Sequence, residues 1–543
     1  MIHYHRKNIR RLTIALLALA LIVAGCSSSD DSVDQTTTTS AVTTTSAVTT
    51  TGAGGGSTTT TTLPEVGPQG TLSVGLTTDV AGFDPYSRFI AVWPIVQNIY
   101  DTLIRYTVEQ EAMPGLMASW EFADDGTSMT MTLQPGAKWH SGADVTAEDI
   151  VANFDRAMTE ATGGHMFTAT DPVSTVSTVD ASTILIEFDA PLPTRAVTDM
   201  LQQLAMIEPS YFDRLDNEAS GSGPYRLESW DPGIQMTLVA NEDYWGDGPF
   251  LESIEFTVFS DTDALVAALQ AGNTIQLAGN IPGKDAASLE GQYDVSQGAP
   301  GSLVLDLRMN TTRAPFDDKV VRQALGWHAV DRQGIVEAIL FGRSVPSLTP
   351  FDAGPFLDIS FGESKAFDLD AAQALLDGAG IDLTGVEVDM LVDTRFADVT
   401  AIAEVLKSDW EKLGLVVTLV PGDDVGVAYL AGDFGVIPWI TANGNKYPLV
   451  AFSASIYRSE DNPAFGPGPP PQEWLDIRAD LQAALTPEAQ EATAAHLIDY
   501  YVDEAWALTI ADRPTLFAVS SDVLGFEFTI DSMPVYQYVR LAG

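Results

Sequence analysis

The residue types best able to hold a metal or act as a nucleophile are scarce in this chain of 543 residues. It contains six histidines and a single cysteine, and His3 and His5 lie in a basic N-terminal segment. No histidine pair has the HExxH spacing that binds zinc on a helix, and no GxSxG turn presents a serine nucleophile. We therefore predict no catalytic residues, no metal site and no cofactor.

Acidic residues, which could serve in acid–base catalysis, are abundant. Asp and Glu number 74 against 27 Lys and Arg, so the formal net charge is −47. A charge this negative disfavours nucleic acid and anionic lipid as partners. A glycosidase needs two facing carboxylates, and counting does not separate such a pair from a well-solvated acidic surface. A secreted hydrolase acting at the cell wall therefore stays open as an alternative function.

The clearest signals for strands and for helix ends lie between Ser222 and Gly272. Apolar residues alternate with polar ones over 235–239 and again over 254–258, and this period of two predicts two half-buried strands. Asp261 is placed to cap a following helix, and Gly272 is placed to end it. The stretch therefore predicts a strand–strand–helix unit.

The sequence of this unit resembles the core signature of family 5 solute-binding proteins. The matching segments are GSGPYRLESW, NEDYWG and LESIEFTVFSDTDALVAALQAG. Further matches run from about Asp101 to about Leu516: YDTLIRY, PGLMASWEFADDGTSMTMTLQPGAKWHSGADVTAEDIVANFDRAM and RMNTTRAPFDDKVVRQALGWHAVDRQGIVEAILFG. Members of that family are the extracytoplasmic receptors of peptide, nickel and related ABC importers. The resemblance implies an α/β fold of the periplasmic-binding-protein type (type II, the large variant with an extra subdomain), in which two hinged lobes surround a ligand cleft.

The first 25 residues have the pattern of a lipoprotein signal peptide. Basic residues precede an apolar run from Leu12 to Ala24 that is short for a membrane span, and Leu-Ile-Val-Ala-Gly-Cys26 is typical of a bacterial lipobox. Cys26 is the predicted lipidation site, and as the only cysteine it leaves no disulfide within the chain. Residues 26–70 are rich in Ser, Thr and Gly, which predicts a disordered tether.

The alternation of strands and helices, together with the resemblance, predicts a division of the chain. The signal peptide is 1–25, the tether 26–70, the first lobe 71–109, 209–302 and 508–543, the extra subdomain 110–208 and the second lobe 303–507. A strand at Ala507–Ile510 is expected to return to the first lobe. Crossovers near residues 303 and 508 would then form the hinge.

Local patterns add three further predictions. The apolar spacing over Trp93–Ile104 predicts a helix, and Thr146 with Asp149 forms a capping box for another. His328 lies on the apolar stripe of a third helix, so we expect a hydrogen-bonded core histidine and not a metal ligand.

In the resembling family, the loop after the first strand lies at the cleft. This implication makes Phe83 and Tyr86 candidate ligand contacts, with packing of Phe83 at the edge of the lobe as the alternative. The family's segment after the capping-box helix can also reach the ligand. The loop at 163–167 therefore adds His165 and Phe167 as candidates, with an exposed loop tip as the alternative.

Open α/β sheets bind ligands outside the carboxyl ends of their strands. Two predicted strands of the second lobe, 388–392 and 436–440, end in polar loops, and by resemblance both loops lie where peptide-binding relatives hold their ligand. Arg395 could pair with a carboxylate, and aromatic rings could stack on the ligand while amides supply hydrogen bonds. The alternatives are a solvated surface charge for Arg395 and core packing for Trp439. The candidates at this edge are Arg395, Phe396, Trp439, Asn443, Asn445, Lys446 and Tyr447.

The second of these loops departs from the peptide-binding pattern. Peptide-binding relatives usually carry an acidic residue there, in a DxDPD-like run that neutralises the free amino group of the peptide. Between Thr441 and Ser459 this chain has no Asp or Glu, and Lys446 is present instead. We therefore expect a ligand without a free α-ammonium group, or one whose charge is met elsewhere. Carbohydrates, amidated or cyclic peptides and anionic small molecules stay open.

Together these features predict an extracytoplasmic solute-binding lipoprotein, held at the outer face of the cell membrane by lipid on Cys26. It would capture a small solute between its lobes and deliver it to the permease and ATPase subunits of an ABC importer, acting as a monomer. No enzyme activity and no binding of nucleic acid are expected. The alternatives are the cell-wall hydrolase and a non-transport ligand sensor on the same fold.

Overall fold

The computed structural model describes residues 67–86, 95, 97–107, 111–159, 161–272, 274–298, 303–349, 363–422, 425, 428–429, 432–442, 471–529 and 532–542. The predicted signal peptide, Cys26 and the predicted tether as far as residue 66 lie outside these residues. Among the residues that are described, no helix combines the length and the apolar character needed to cross a bilayer.

The strands are numbered in chain order. They are β1 Thr71–Leu76, β2 Ile104–Tyr106, β3 Ala112–Pro114, β4 Met117–Phe122, β5 Ser128–Leu133, β6 Val173–Asp180, β7 Thr183–Phe188, β8 Tyr225–Asp231, β9 Gln235–Ala240, β10 Ser253–Val258, β11 Leu277–Gly279, β12 Asp294–Gln297, β13 Leu303–Met309, β14 Glu387–Asp393, β15 Val416–Gly422, β16 Val436–Ala442, β17 Ala507–Asp512, β18 Leu516–Val519, β19 Val523–Leu524, β20 Glu527–Phe528, β21 Pro534–Val535 and β22 Arg540–Leu541.

The helices are numbered in the same way. They are α1 Ala147–Ala157, α2 His165–Ala169, α3 Thr194–Leu201, α4 Thr262–Ala271, α5 Gly283–Leu289, α6 Lys319–Gln323, α7 Arg332–Ala338, α8 Leu369–Ala379, α9 Ala397–Glu411, α10 Gln472–Ala483 and α11 Pro487–Glu504. A π-helical turn at Ala324–His328 continues α6.

A seven-stranded sheet organises the first lobe, in the order β12-β18-β11-β1-β10-β9-β8. The two strands predicted at 235–239 and 254–258 are β9 and β10, and they pair antiparallel. Helix α4 begins after Asp261, whose carboxylate accepts a hydrogen bond from the Ala264 amide, and it ends at Gly272 with φ 72°. Glycine adopts that left-handed conformation without steric cost. The predicted strand–strand–helix unit is therefore confirmed.

A four-stranded antiparallel sheet, β4-β5-β7-β6, lies within the predicted extra subdomain. Helix α1 buries Ile150 and Phe154 in the core that includes this sheet. Its N-terminus carries the predicted capping box, because the Thr146 side chain accepts from the Asp149 amide while the Asp149 side chain accepts from the Thr146 amide. These two bonds satisfy donors that a helix end otherwise leaves unpaired.

A five-stranded sheet, β15-β14-β16-β13-β17, organises the second lobe. Its core packs Met390 and Val392 of β14 against Ile402, Leu406 and other apolar residues of α9. His328 is buried, and its Nδ1 lies 2.8 Å from the Ala366 carbonyl oxygen. The structure therefore confirms the core position predicted for this histidine.

The prediction that Ala507–Ile510 returns to the first lobe is wrong. Strand β17 pairs antiparallel with β13, inside the five-stranded sheet, and the chain crosses to the first lobe only after Asp512. All six positions of β17 are buried, so its apolar pattern fits the interior of either sheet equally well. Long-range strand pairing, which the local pattern does not encode, decides between them.

Two further local predictions also need correction. Ile104 begins β2, and residues 97–99 form a turn, so the predicted helix does not extend through Ile104. Ile95, Ile99 and Leu103 are nevertheless buried, which means that their spacing reflects contact with the core and not helical periodicity. The expected loop at 163–167 includes the start of the short helix α2.

The motifs that carry the resemblance meet around one buried carboxylate. Asp101 accepts hydrogen bonds from Arg105, from Trp245 Nε1 at 2.8 Å and from Ser222 Oγ at 3.1 Å. The Tyr244 hydroxyl lies 3.3 Å from the same carboxylate and 2.6 Å from Arg105. Burial raises the pKa of Asp101, and Arg105 and these hydrogen bonds oppose the rise. Hydrogen bonds to Asp101 therefore connect motifs that are far apart in the sequence.

His140 fastens the subdomain to the Gly-Ser-Gly-Pro turn. Its Nε2 donates to the Gly223 carbonyl at 3.0 Å, and its Nδ1 accepts from the Gly221 amide at 3.3 Å. The two bonds together require the neutral ring, because a proton on Nδ1 would face the Gly221 N–H. Burial lowers the pKa of His140 to about 4.

We expect His140 to make stability pH-dependent. Because its folded-state pKa is below the ordinary value of about 6.5, the unfolded chain binds the proton first as pH falls. Stability should therefore decrease between about pH 6.5 and pH 4, with a slope of at most about 1.4 kcal/mol per pH unit from this group. Urea denaturation at several pH values, compared with His140→Gln, measures it. An unchanged slope in the variant would contradict the assignment.

Candidate functional site

One edge of the five-stranded sheet carries the ends of the strands that lead into the candidate loops of the second lobe. Strands β14, β15 and β16 run parallel, so their carboxyl ends lie at the same edge, where Asp393 is opposite Gly422. Strand β13 is antiparallel to β16 and β17, which places its first residues beside Ala442 and Asp512. The carboxyl edge, as we name it, consists of Leu303, Val304, Asp393, Thr394, Arg395, Phe396, Gly422, Thr441, Ala442, Asp512 and Arg513.

Arg395 lies at the carboxyl edge with its side chain 52% exposed. Its guanidinium binds Asp393 in bidentate fashion, with Nε 2.9 Å from Oδ1 and Nη2 2.6 Å from Oδ2. The fork geometry that would suit a ligand carboxylate is therefore already engaged by a carboxylate of this chain. A ligand anion would have to compete with Asp393.

Phe396 is half-buried beside Arg395 and packs against the core of the second lobe. The guanidinium carbons of Arg395 and Arg513 lie 5.6 Å and 5.3 Å from the centre of its ring. Both distances are within the range of cation–π attraction. The structure thus brings Arg395 and Phe396 together and adds Arg513, which the sequence did not single out.

Trp439 is half-buried on β16 and stacks on Tyr429, with ring centres 4.9 Å apart and planes 18° apart. The guanidinium carbon of Arg308 lies 5.0 Å from the centre of the Tyr429 ring and 5.6 Å from that of Trp439. Trp439 is therefore packed in part, as the alternative expectation had it, while part of its surface stays accessible.

A buried polar network lies beneath Trp439. The Asp306 carboxylate accepts from the hydroxyls of Thr441 at 2.6 Å and Thr509 at 2.9 Å, and Arg308 Nη2 lies 3.4 Å away. Burial raises the pKa of Asp306, and Arg308 and the two hydroxyls oppose that rise. The sequence analysis missed this network, although two charged residues inside the apolar strand Leu303–Met309 were a usable signal.

The first-lobe candidates lie in the interior. Phe83 and Tyr86 both have an exposed fraction of zero. The Tyr86 hydroxyl donates to the Ala205 carbonyl at 2.9 Å, and burial raises the pKa of this phenol well above its usual range. Phe83 packs edge-on against Trp230, with ring centres 5.1 Å apart. This burial favours the packing alternative for Phe83 and a structural role for Tyr86. Phe167 is half-buried on α2.

The first lobe also has residues at its own carboxyl edge that the sequence analysis missed. Asp79, just after β1, accepts hydrogen bonds from Trp230 Nε1 at 3.2 Å and from the Gly233 amide at 2.6 Å. These bonds fix the tip of the β8–β9 hairpin, where Ile234 is 58% exposed. The Trp-Asp-Pro-Gly-Ile turn at 230–234 was the available signal.

Four candidates, Asn443, Asn445, Lys446 and Tyr447, lie outside the described residues, as does the acid-free stretch after Ala442. Within the described residues, no three His, Cys, Asp or Glu side chains are arranged to hold a metal ion. The described part of the site thus consists of aromatic rings, hydroxyls and neutralised ion pairs.

The family profile described as "Bacterial extracellular solute-binding proteins, family 5 Middle" matches residues 111–463, more than half of the chain. The chain belongs to this family. This membership confirms the resemblance noted in the sequence, and the matched range includes Ser222 and Trp245, two of the residues that bond Asp101.

Curated relatives are about a quarter identical to this chain over the aligned residues. The dipeptide-binding protein of Escherichia coli (strain K12) is 27% identical over 357 residues, which is 59% of this chain and 66% of the relative. The glutathione-binding protein GsiB of Shigella boydii serotype 4 is 27% identical over 281 residues, 50% of this chain and 54% of the relative. The chain thus spans about half to two thirds of the length of these relatives.

Solved structures extend the likeness of fold over most of the chain. The periplasmic binding protein AgaA of A. tumefaciens R10, in complex with agropinic acid, is 22% identical with a TM-score of 0.76, covering 87% of this chain and 99% of that one. NikA from Brucella suis, in complex with Fe(III)-EDTA, is 21% identical with a TM-score of 0.75, covering 87% and 100%. The predicted two-lobed α/β fold of periplasmic binding proteins is confirmed.

Proposed function

We propose that this protein is the solute receptor of an ABC-type importer, which captures a small solute between its lobes and delivers it to permease and ATPase subunits. The observation that supports this proposal is the position of the carboxyl ends of β14 and β16, which lead into the candidate loops. They lie at the edge of the second-lobe sheet where the chain crosses to the first lobe. A solute held there and by the first lobe would bridge the hinge, and its binding energy would shift an open–closed equilibrium.

Binding without chemistry fits the residues at this edge. Arg395 and Asp393 neutralise one another, and Trp439 and Phe396 offer aromatic surface. Such groups orient a ligand through stacking and hydrogen bonds, whereas catalysis needs a poised acid, base or nucleophile. ATP hydrolysis would take place in the partner subunits.

The N-terminal sequence pattern supports anchoring of the receptor at the outer face of the cell membrane. Lipid on Cys26 and the Ser/Thr/Gly-rich segment up to about residue 70 would hold the folded lobes near the outer face of the membrane. The protein would act there as a monomer. The strongly acidic composition would disfavour contact of the lobes with anionic headgroups.

The expected ligand class rests on the composition of the segment that follows β16. The relatives are named for a dipeptide and for glutathione. In this chain the segment from Thr441 to Ser459 has no carboxylate to pair with an α-ammonium group. We therefore favour a peptide-like or other small solute whose amino group is absent or blocked.

Native mass spectrometry of freshly purified protein tests the function. We expect a bound small molecule that is released when the protein is denatured, because a closed receptor encloses its ligand. The same protein, unfolded in urea and refolded by dialysis, is the control without ligand. If no solute is retained and none from a broad library raises the melting temperature, or if glycans or peptides are turned over, the receptor proposal fails.

Calorimetry on the refolded protein tests the ligand class. N-acetylated or amidated peptides should bind at least as tightly as their unmodified forms, since the segment from Thr441 to Ser459 has no carboxylate to pair with a free amino group. Tight binding of unmodified di- or tripeptides with exclusion of the acetylated forms would contradict it.

A further inference from the structure

Two chain segments join the two sheets, and the described ends of one are hydrogen-bonded to the other. One leads from β12 to β13, and the other leads from β17 to β18. The Arg513 amide donates to the Leu303 carbonyl at 2.7 Å, and the Gly298 amide donates to the Thr515 carbonyl at 3.0 Å. Rotation of one lobe against the other must be absorbed by the backbone of these crossovers.

Asp512 fastens the second crossover to the body of the second lobe. Its Oδ1 accepts from the Val345 amide at 2.6 Å and from Ser344 Oγ at 2.8 Å, and the residue is buried. The Arg513 amide in turn bonds Leu303 of β13, so the described hydrogen bonds hold this crossover to the second lobe as far as Arg513. Arg513 is therefore the residue at which this crossover leaves the second lobe.

The Arg513 side chain turns back from the crossover onto the site loop. Its Nε lies 2.7 Å from Asp398 Oδ2, and its guanidinium carbon lies 5.3 Å from the centre of the Phe396 ring. The side chains of Arg513 and Asp398 are only 20% and 19% exposed, so water screens this pair less than a surface pair. Asp398 lies in the first turn of α9, directly after the Arg395–Phe396 loop.

Phe396 of this loop also packs against the second-lobe core, and its neighbours make further contacts. Thr394 bonds the Gly422 carbonyl through its amide at 2.8 Å and its hydroxyl at 2.9 Å, and Arg395 bonds Asp393. These contacts stay within the second lobe. Arg513 therefore provides a direct side-chain link between the loop and the crossover.

We propose that Arg513 is a positioning residue that couples the Arg395–Phe396 loop to the hinge. Its contacts with Asp398 and Phe396 favour the lobe arrangement seen in the structure. A solute that contacts the loop would then bias lobe closure through Arg513, in addition to bridging the lobes directly. The coupling rests on the proposed receptor function, but its effect on lobe separation exists without any ligand.

The test measures lobe separation in ligand-free protein. Labels are attached to Ser288→Cys in α5 and Ala374→Cys in α8, both exposed positions, in the full chain with Cys26→Ser. Pulsed electron paramagnetic resonance then gives the distribution of distances between the lobes. We expect Arg513→Ala and Asp398→Asn to broaden or shift this distribution to a similar degree, Arg513→Lys to restore it in part, and the double variant to add little.

The matched control is Arg313→Ala, which removes a second-lobe arginine whose ion pair with Asp433 is 47% and 77% exposed. It should leave the distribution unchanged, and melting curves of all variants confirm that they fold. If Arg513→Ala gives the same distribution as Arg313→Ala, the coupling is wrong.

A second readout uses the solute found by native mass spectrometry. Arg513→Ala should weaken its binding by about 5- to 150-fold, the usual range of coupling between two sites, while Arg313→Ala should not. If the wild-type protein binds no solute, the receptor function fails while the distance measurement still decides the coupling. If a solute binds the wild type and Arg513→Ala equally, the coupling does not serve ligand capture and the proposal is overturned.

Discussion

Replacing Arg308 by alanine is expected to destabilise the second lobe by about 3–5 kcal/mol, because it leaves Asp306 as a buried carboxylate without its counter-charge. Arg308 is 4% exposed and lies between Asp306, Tyr429 and Trp439. Its removal also takes away the donor to Thr441 Oγ1 and leaves a cavity beneath the Trp439 ring. Urea denaturation followed by near-ultraviolet circular dichroism measures the loss.

A double variant separates the charge from the packing. Asp306→Leu with Arg308→Met removes both charges and fills most of the volume, so it should recover most of the stability lost in Arg308→Ala. The hydroxyls of Thr441 and Thr509 lose an acceptor, which prevents full recovery. The exposed Arg313→Ala should change stability by less than about 1 kcal/mol. A double variant as unstable as Arg308→Ala would show that the ion pair is not the cause.

Replacing Asp101 by alanine is the second large expected loss, also about 3–5 kcal/mol, because it strips the acceptor from Arg105, Ser222 and Trp245 together. Asp101→Asn should lose less, since an amide oxygen still accepts one of these bonds. Unfolding of the first lobe, followed by tryptophan fluorescence, measures the difference.

The control for Asp101 is Glu218→Ala, which breaks a 3.5 Å pair between side chains that are more than half exposed. It should cost less than about 1 kcal/mol. An Asp101→Ala variant within about 1 kcal/mol of the wild type would contradict the view that the family motifs converge on this carboxylate for stability.

The sequence predicted what depends on neighbours along the chain. The cap at Asp261, the capping box at Thr146 and the left-handed end at Gly272 were all anticipated, because each is a hydrogen bond or a dihedral preference within a few residues. The alternating strands β9 and β10 were anticipated because the pleat gives apolar residues a period of two. The family followed from several such motifs in the same order.

Some residues that were predicted for the site lie near the expected sheet edge, and others lie in the interior. Arg395, Phe396 and Trp439 do lie near the edge expected for them, because strand direction alone predicts where a carboxyl end must be. Phe83 and Tyr86 lie in the interior, because an aromatic residue in a loop can turn inward or outward and the local pattern does not say which.

Only the tertiary structure decided which distant groups meet. Asp393 neutralises Arg395, Asp306 pairs with Arg308 beneath Trp439, and Arg513 reaches Asp398 across 115 positions of the chain. The same is true of β17, whose uniformly buried side chains suit either sheet until β13 pairs with it. Local propensity acts over a few residues, whereas burial and charge pairing are settled by the whole packed chain, and the proposed hinge coupling belongs to this second kind.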